Sequence, residues 1–307
     1  MKSKKKKEDK TLYLVEQHHI KSNNDFYSEC DELCFKAKTL YNLVNDHIKY
    51  ILAEGLVYPD SYYCYRFFQH SYEYKSLPTK VSKQVLSDVD EAWKSFFAAI
   101  KSYKINKSKF TGRPRPPKNK DMYVGRMVAT FEKDAISKME FKRTGMVALS
   151  MTNIKIKTKI KDFNIIKEVR IIPKLRYYVI EIVYDTKKLL NSVPKKIDHI
   201  KDDDVKAFID LGVNNLMTVT FSNGIQPFII NGRPLKSINH YYNRKLAKLK
   251  SELPEGVYTS RAIQTLATKR NNKIKDYLHK ATKKLVNHLT SKDTRIVVIG
   301  YNVGIKQ

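Results

Sequence analysis

The chain has 307 residues, 42% of them apolar, which is enough to bury one large core or two ordinary ones. Fifty-nine Lys and Arg face 31 Asp and Glu, and the resulting +28 is more than solubility requires, so a polyanionic partner is expected, nucleic acid first. No apolar run reaches the ~18 residues of a membrane span. The lysine-rich start is not followed by the apolar stretch of a secretory signal, and the basic charge is spread along the chain rather than gathered on one membrane-surface helix.

Residues 1–10 read as a basic arm reaching for phosphates. The three cysteines, Cys30, Cys34 and Cys64, are odd in number and irregularly spaced. That pattern fits a reducing, cytoplasmic compartment and no disulfide framework. Cys30 and Cys34 lack a second Cys or His pair, so no zinc site is expected within this chain. From Tyr27 to about Glu54 the positions Cys34, Leu40, Tyr41, Leu43, Val44, Ile48 and Ile51 recur at helical spacing. An aromatic-rich, helical or mixed stretch spans about 58–74. An amphipathic helix over 80–103 follows, its apolar face made of Val81, Val85, Leu86, Val89, Trp93, Phe96, Phe97 and Ile100.

Residues 101–120 hold eight Lys or Arg and no Asp or Glu, and Pro114, Pro116 and Pro117 break any regular element. Arg113, Arg115, Lys118 and Lys120 in this stretch, flanked by Tyr103, Phe110 and Tyr123, suit contact with a nucleic-acid backbone with stacking beside it. Five strand-like runs follow, at 127–131, 146–152, 154–160, 169–172 and 177–184. The last alternates too little for a one-sided strand and reads as buried on both faces. Asn191 to Asp204 reads as a linker.

Next comes a hairpin. Ala207, Phe208 and Ile209 suit a buried strand, and Asp210 sits inside it, where an uncompensated carboxylate is costly. Leu211 to Asn215 turn the chain, and Leu216 to Phe221 return. An acid in the first strand is what the opening hairpin of an RNase H-like fold carries to hold a divalent metal; the alternative is an Asp capping a Gly/Asn-rich turn. Helices over 234–252 and 259–289 and a strand over 295–299 complete the pattern. The helices carry Arg244, Lys245, Lys248 and Lys250, then Arg261, Lys269, Arg270, Lys273 and Lys275, which favours phosphate contact. Asp276 and His279 lie three apart on one face. They can pair, cap a contact to RNA, or stand near a scissile phosphate. Phosphodiester hydrolysis of this kind uses two Mg²⁺ or Mn²⁺ ions held by several carboxylates, and after the last strand the chain offers Gly300 and Asn302 rather than an acid. A sheet that ends on its third strand suggests a chain cut short.

Four motifs, in order, resemble one family. Trp93-Lys94-Ser95-Phe96-Phe97 and Lys109-Phe110-Thr111-Gly112-Arg113-Pro114 resemble the amino-terminal half of the OrfB/TnpB proteins of insertion sequences, prokaryotic mobile elements. Ile209-Asp210-Leu211-Gly212-Val213-Asn214-Asn215 and Asp276-Tyr277-Leu278-His279-Lys280 resemble its RuvC-like half. The resemblance runs from about residue 27 to the last residue. It implies an RNA-guided DNA endonuclease with guide RNA and target DNA as partners and no membrane. The implied fold is mixed α+β: a helical recognition part and a β-barrel-like wedge over 11–195, then a partial RNase H-like (RuvC) α/β domain over 205–307. It carries the first catalytic, metal-binding carboxylate onto Asp210, with Mg²⁺ or Mn²⁺ as cofactor in a complete site. His279 and Lys280 join Arg113, Arg115, Lys118, Lys120, Arg244, Lys248, Arg270 and Lys273 as expected nucleic-acid contacts. The chain departs from the family at Gly300, where a glutamate is usual. The family's four-cysteine zinc ribbon and last aspartate fall past Gln307. A nucleic-acid binder without cleavage activity is therefore the alternative reading.

Overall fold

The computed structural model describes residues 13–186 and 203–300. The arm at 1–10, most of the linker at 191–204, and Asn302 lie outside the described residues. The chain divides into two compact units, Met1–Lys195 and Lys196–Gln307.

The first unit opens with a strand that local pattern does not reveal, β1 (Tyr13–Lys21), and continues into α1 (Tyr27–Ala53), α2 (Ser61–Phe68), α3 (Tyr72–Lys75) and α4 (Thr79–Ile105). Asp60 and Ser71 cap α2 and α3 by accepting the amides of Tyr63 and Tyr74. The two long helices bury residues three and four apart: Cys30, Cys34, Ala37, Leu40, Tyr41, Val44 and Ile48 on α1, and Val81, Val85, Leu86, Val89 and Trp93 on α4. The apolar face expected of α4 is buried only as far as Trp93, for Phe97 is exposed in the turn that follows.

These helices share a core with a four-stranded antiparallel sheet ordered β1, β6 (Tyr177–Asp185), β5 (Ile166–Pro173) and β2 (Ala129–Glu132). Between β2 and β5 lie α5 (Lys138–Thr144) and a two-stranded ribbon, β3 (Met146–Ala148) with β4 (Lys155–Lys157). The expected barrel-like middle is thus corrected: among the described residues it is an open sheet and a separate ribbon, with no closed barrel. The run read at 146–152 stops as a strand at Ala148, and Met151 takes a positive φ of 58° in the turn beyond. Strand β6, paired on both edges, buries Tyr178, Val179, Ile180, Ile182 and Val183, a nearly continuous run.

The second unit is a four-stranded sheet ordered β10 (Ile296–Ile299), β7 (Lys206–Leu211), β8 (Asn215–Phe221) and β9 (Phe228–Asn231). Strand β10 runs parallel to β7, and the other pairs are antiparallel. Two helices, α6 (Arg233–Ser251) and α7 (Arg261–Ser291), stand between β9 and β10 in sequence. Ala281 and Leu285 of α7 cover one face of the sheet, over Ala207, Ile209, Val219 and Ile230.

Candidate nucleic-acid interface

Residues 111–126 of the first unit contain no helix or strand, yet from Pro117 to Arg126 they are held by one stripe of α1. The chain there runs opposite to the helix. Asn45 Nδ2 donates to Pro117 O (3.1 Å) and to Asn119 Oδ1 (2.6 Å), and Asn119 Nδ2 donates to Asp46 Oδ2 (2.7 Å). Asn42 takes both backbone groups of Lys120, accepting from its N (2.8 Å) and donating to its O (2.9 Å). Lys38 Nζ donates to Met122 O (2.6 Å), and Arg126 grips both oxygens of Asp31 at 2.7 and 2.9 Å. Asp31, Lys38, Asn42, Asn45, Asp46 and Lys49 share that stripe because they stand three, four or seven residues apart.

This strap makes energetic sense as a unit. Ordering each extended residue costs about 1–2 kcal/mol of backbone entropy, while a neutral hydrogen bond returns about 1 kcal/mol net. Pro114, Pro116 and Pro117 restrict the unfolded chain in advance and so lower that cost. Asp121 caps the turn after Lys120 by accepting the amides of Tyr123 and Val124, and those amides hold its carboxyl below the usual carboxylate range. The turn needs glycine at 125, where a Cβ would lie 2.3 Å from Asp121 O. Lys38, only 2% exposed, lies 3.8 Å from the centre of the Phe35 ring, and burial lowers its pKa.

What the strap presents outward is charge. Arg113, Arg115 and Lys118 are exposed and make no ion pair among the described residues. Lys120 is exposed too, but its ammonium lies 5.2 Å from the centre of the Tyr41 ring. Tyr103 and Phe110 meet edge to face at 5.6 Å, and Tyr123 is 80% exposed.

In the second unit Arg244, Lys248 and Lys273 are exposed without an ion pair among the described residues. Arg270 is placed differently. It is half-buried, its Nε donates to Asn239 Oδ1 at 2.8 Å, and its guanidinium lies 5.2 Å from the Tyr242 ring. Arg270 therefore ties α7 to α6. Asp276 pairs with Lys280 (2.8 Å) rather than with His279, which is exposed.

Asp210 lies on β7, but not in the buried setting the sequence suggests. Ala207 and Ile209 face the core while Phe208, 43% exposed, and Asp210 face away. With that face of the sheet open, the carboxylate keeps its hydration and needs no buried partner. The neighbouring strand brings Gly300 beside it: Gly300 N donates to Ile209 O (2.9 Å), and a Cβ built there would stand 3.7 Å from Asp210 Oδ1. Among the described residues no group of three His, Cys, Asp or Glu side chains gathers as a metal site. One carboxylate does not fit a two-metal centre, since each hard cation needs several anionic oxygens. The cysteines are no substitute. All three are buried, and burial pushes the Cys30 and Cys64 thiols up to about 12.

Residues 192–306 match the family OrfB_IS605, described as a probable transposase. A comparison with the curated proteins gives no match. Among solved structures the chain is similar to one in a Cas12f1–sgRNA–target DNA complex, at 11% identity and a TM-score of 0.41, covering 92% of this chain and 66% of that one. It is also similar to one in a CRISPR–Cas12f ternary complex, at 13% identity and a TM-score of 0.28, covering 89% and 62%. The chain thus spans less than two thirds of the length of either. Among the described residues no helix is long and apolar enough to cross a membrane.

The strap's anchoring stripe was hidden in the sequence, with one exception. Asn45 falls between Val44 and Ile48 on the apolar face of α1 and is fully buried, and a polar residue on such a face signals a partner that must reach it.

Proposed function

We propose that this chain works in RNA-guided DNA cleavage of the OrfB/TnpB type, and that residues 1–307 supply its nucleic-acid-binding surface and the first carboxylate of its nuclease site. Guide RNA lies against Arg113, Arg115 and Lys118, and in the second unit against Arg244, Lys248, Lys273 and His279. Target DNA is then read by base pairing rather than by side chains. The observation that carries this reading is the strap, a proline-stiffened segment whose backbone is fixed to α1 at Pro117 and Lys120 while three of its cations make no ion pair among the described residues. Structured RNA, with phosphates at fixed spacing, rewards such a pre-ordered row of charge.

A second reading, binding without cleavage, is favoured by Gly300 beside Asp210. The described residues bring one acid where hydrolysis with Mg²⁺ or Mn²⁺ requires several, so no hydrolytic step is assigned to them. The test is to incubate the 307-residue chain and its Asp210→Ala variant with RNA, matching DNA and either metal. Both are expected to hold RNA equally and neither to cut. Guide-dependent cutting lost in Asp210→Ala would contradict the assignment of a lone acid, and failure to hold RNA would overturn both readings.

A further inference from the structure

A second surface of the first unit is built from rings rather than charge. His47 on α1 and Tyr63 and Phe67 on α2 lie within 6.1 Å of one another with planes 12–25° apart. Buried Phe68 meets Phe67 at 4.9 Å and His47 at 5.2 Å, both edge to face, and so supports the group from the core. Tyr63 is 44% exposed, Phe67 56% and the adjacent Tyr62 64%.

Apolar rings left in water normally mark a contact surface. The charge around them indicates the partner. Helix α2 contains no acidic residue, its capping Asp60 is engaged by the Tyr63 amide, Arg66 is exposed on it, and exposed His70 follows its end. An apolar protein face has no need of near-parallel rings, whereas a nucleobase stacks on such a plane while Arg66 meets its phosphate. Only unpaired bases offer a free face, and folded RNA displays them in loops and bulges.

We infer that Tyr63 and Phe67, backed by His47, form a stacking platform for unpaired RNA bases, distinct from the phosphate-binding strap. The inference rests on the nucleic-acid reading for the nature of the polymer and on ring geometry for the mode of contact. Two probes of equal length and charge separate these: a labelled 20-nucleotide oligouridylate, and the same backbone with its bases removed. The variant is Tyr63→Ala with Phe67→Leu, in which leucine keeps apolar cover over His47 and Phe68; a thermal melt confirms that it folds. Oligouridylate affinity is expected to fall about tenfold, stacking being worth about 1–3 kcal/mol per base, while abasic binding stays within about twofold. Equal loss on both probes, no loss on oligouridylate, or a shift in sedimentation that reveals self-association through this face would overturn the platform. Weak binding of both probes by the unsubstituted chain would instead count against the nucleic-acid reading itself.

Discussion

Asp31 is gripped by Arg126 through both its oxygens and also accepts from the Tyr178 hydroxyl, so one carboxylate joins α1, the strap and β6. The Arg126 hydrogen bonds hold its pKa below the ordinary 3.8. A folded value below the unfolded one means the stabilisation is fully present above about pH 4 and is lost as pH falls through the lower, folded value. Asp31→Asn is expected to cost about 1 kcal/mol at neutral pH, a figure reduced for solvent screening of a half-exposed pair. The gap between the two melting curves should close as the buffer is taken below pH 4; a gap that persists there would show that the pair acts through packing alone. Gly300 is the other residue with a sharp consequence. Its Cβ position has room, so Gly300→Glu sets a second carboxylate beside Asp210. Titration calorimetry with Mn²⁺ is expected to find a site in Gly300→Glu that is absent from Gly300→Gln. Equal Mn²⁺ binding by the two would place the metal elsewhere.

At the scale of elements, the strap depends on two asparagines. Asn45 accepts from buried Trp93 Nε1 (2.9 Å) and donates to the strap, so Asn45→Ala strands a buried indole N–H as well as freeing the segment. A loss of about 2–3 kcal/mol is expected, measured by urea unfolding. Asn42→Ala, on the exposed side, should leave the melt nearly unchanged. It should speed hydrogen exchange at the Lys120 amide, which Asn42 Oδ1 receives. Unchanged exchange there would mean that the strap is held by packing rather than by this stripe. The long helices were legible in the sequence because their apolar residues repeat every three or four positions, and a local pattern suffices. Strand β1 was not, since its partner β6 is remote in sequence and Tyr13, Leu14 and Val15 sit exposed together without alternation. Helix α5 and strand β9, seven and four residues long, are too short to show a period. Asp210 was found from its strand, but its exposure was not, because exposure depends on what covers the far face of the sheet.

For the whole molecule, charge is the quantity that matters, and composition gave it at once. Placement divides the basic residues into kinds that composition cannot separate. Arg126 and Arg270 hold the fold, Lys280 is offset by Asp276, and Arg113, Arg115 and Lys118 make no ion pair among the described residues. Only the free kind should release counterions from RNA. The most direct test is the slope of log affinity against log salt for a structured RNA, for the unsubstituted chain and for Arg113→Ser/Arg115→Ser/Lys118→Ser. Three lost phosphate contacts should flatten the slope by about 2–3, at 0.7–0.9 per contact, with the melting temperature unchanged. An unaltered slope, or affinity insensitive to salt in either protein, would contradict the claim that this strap is where the chain holds nucleic acid.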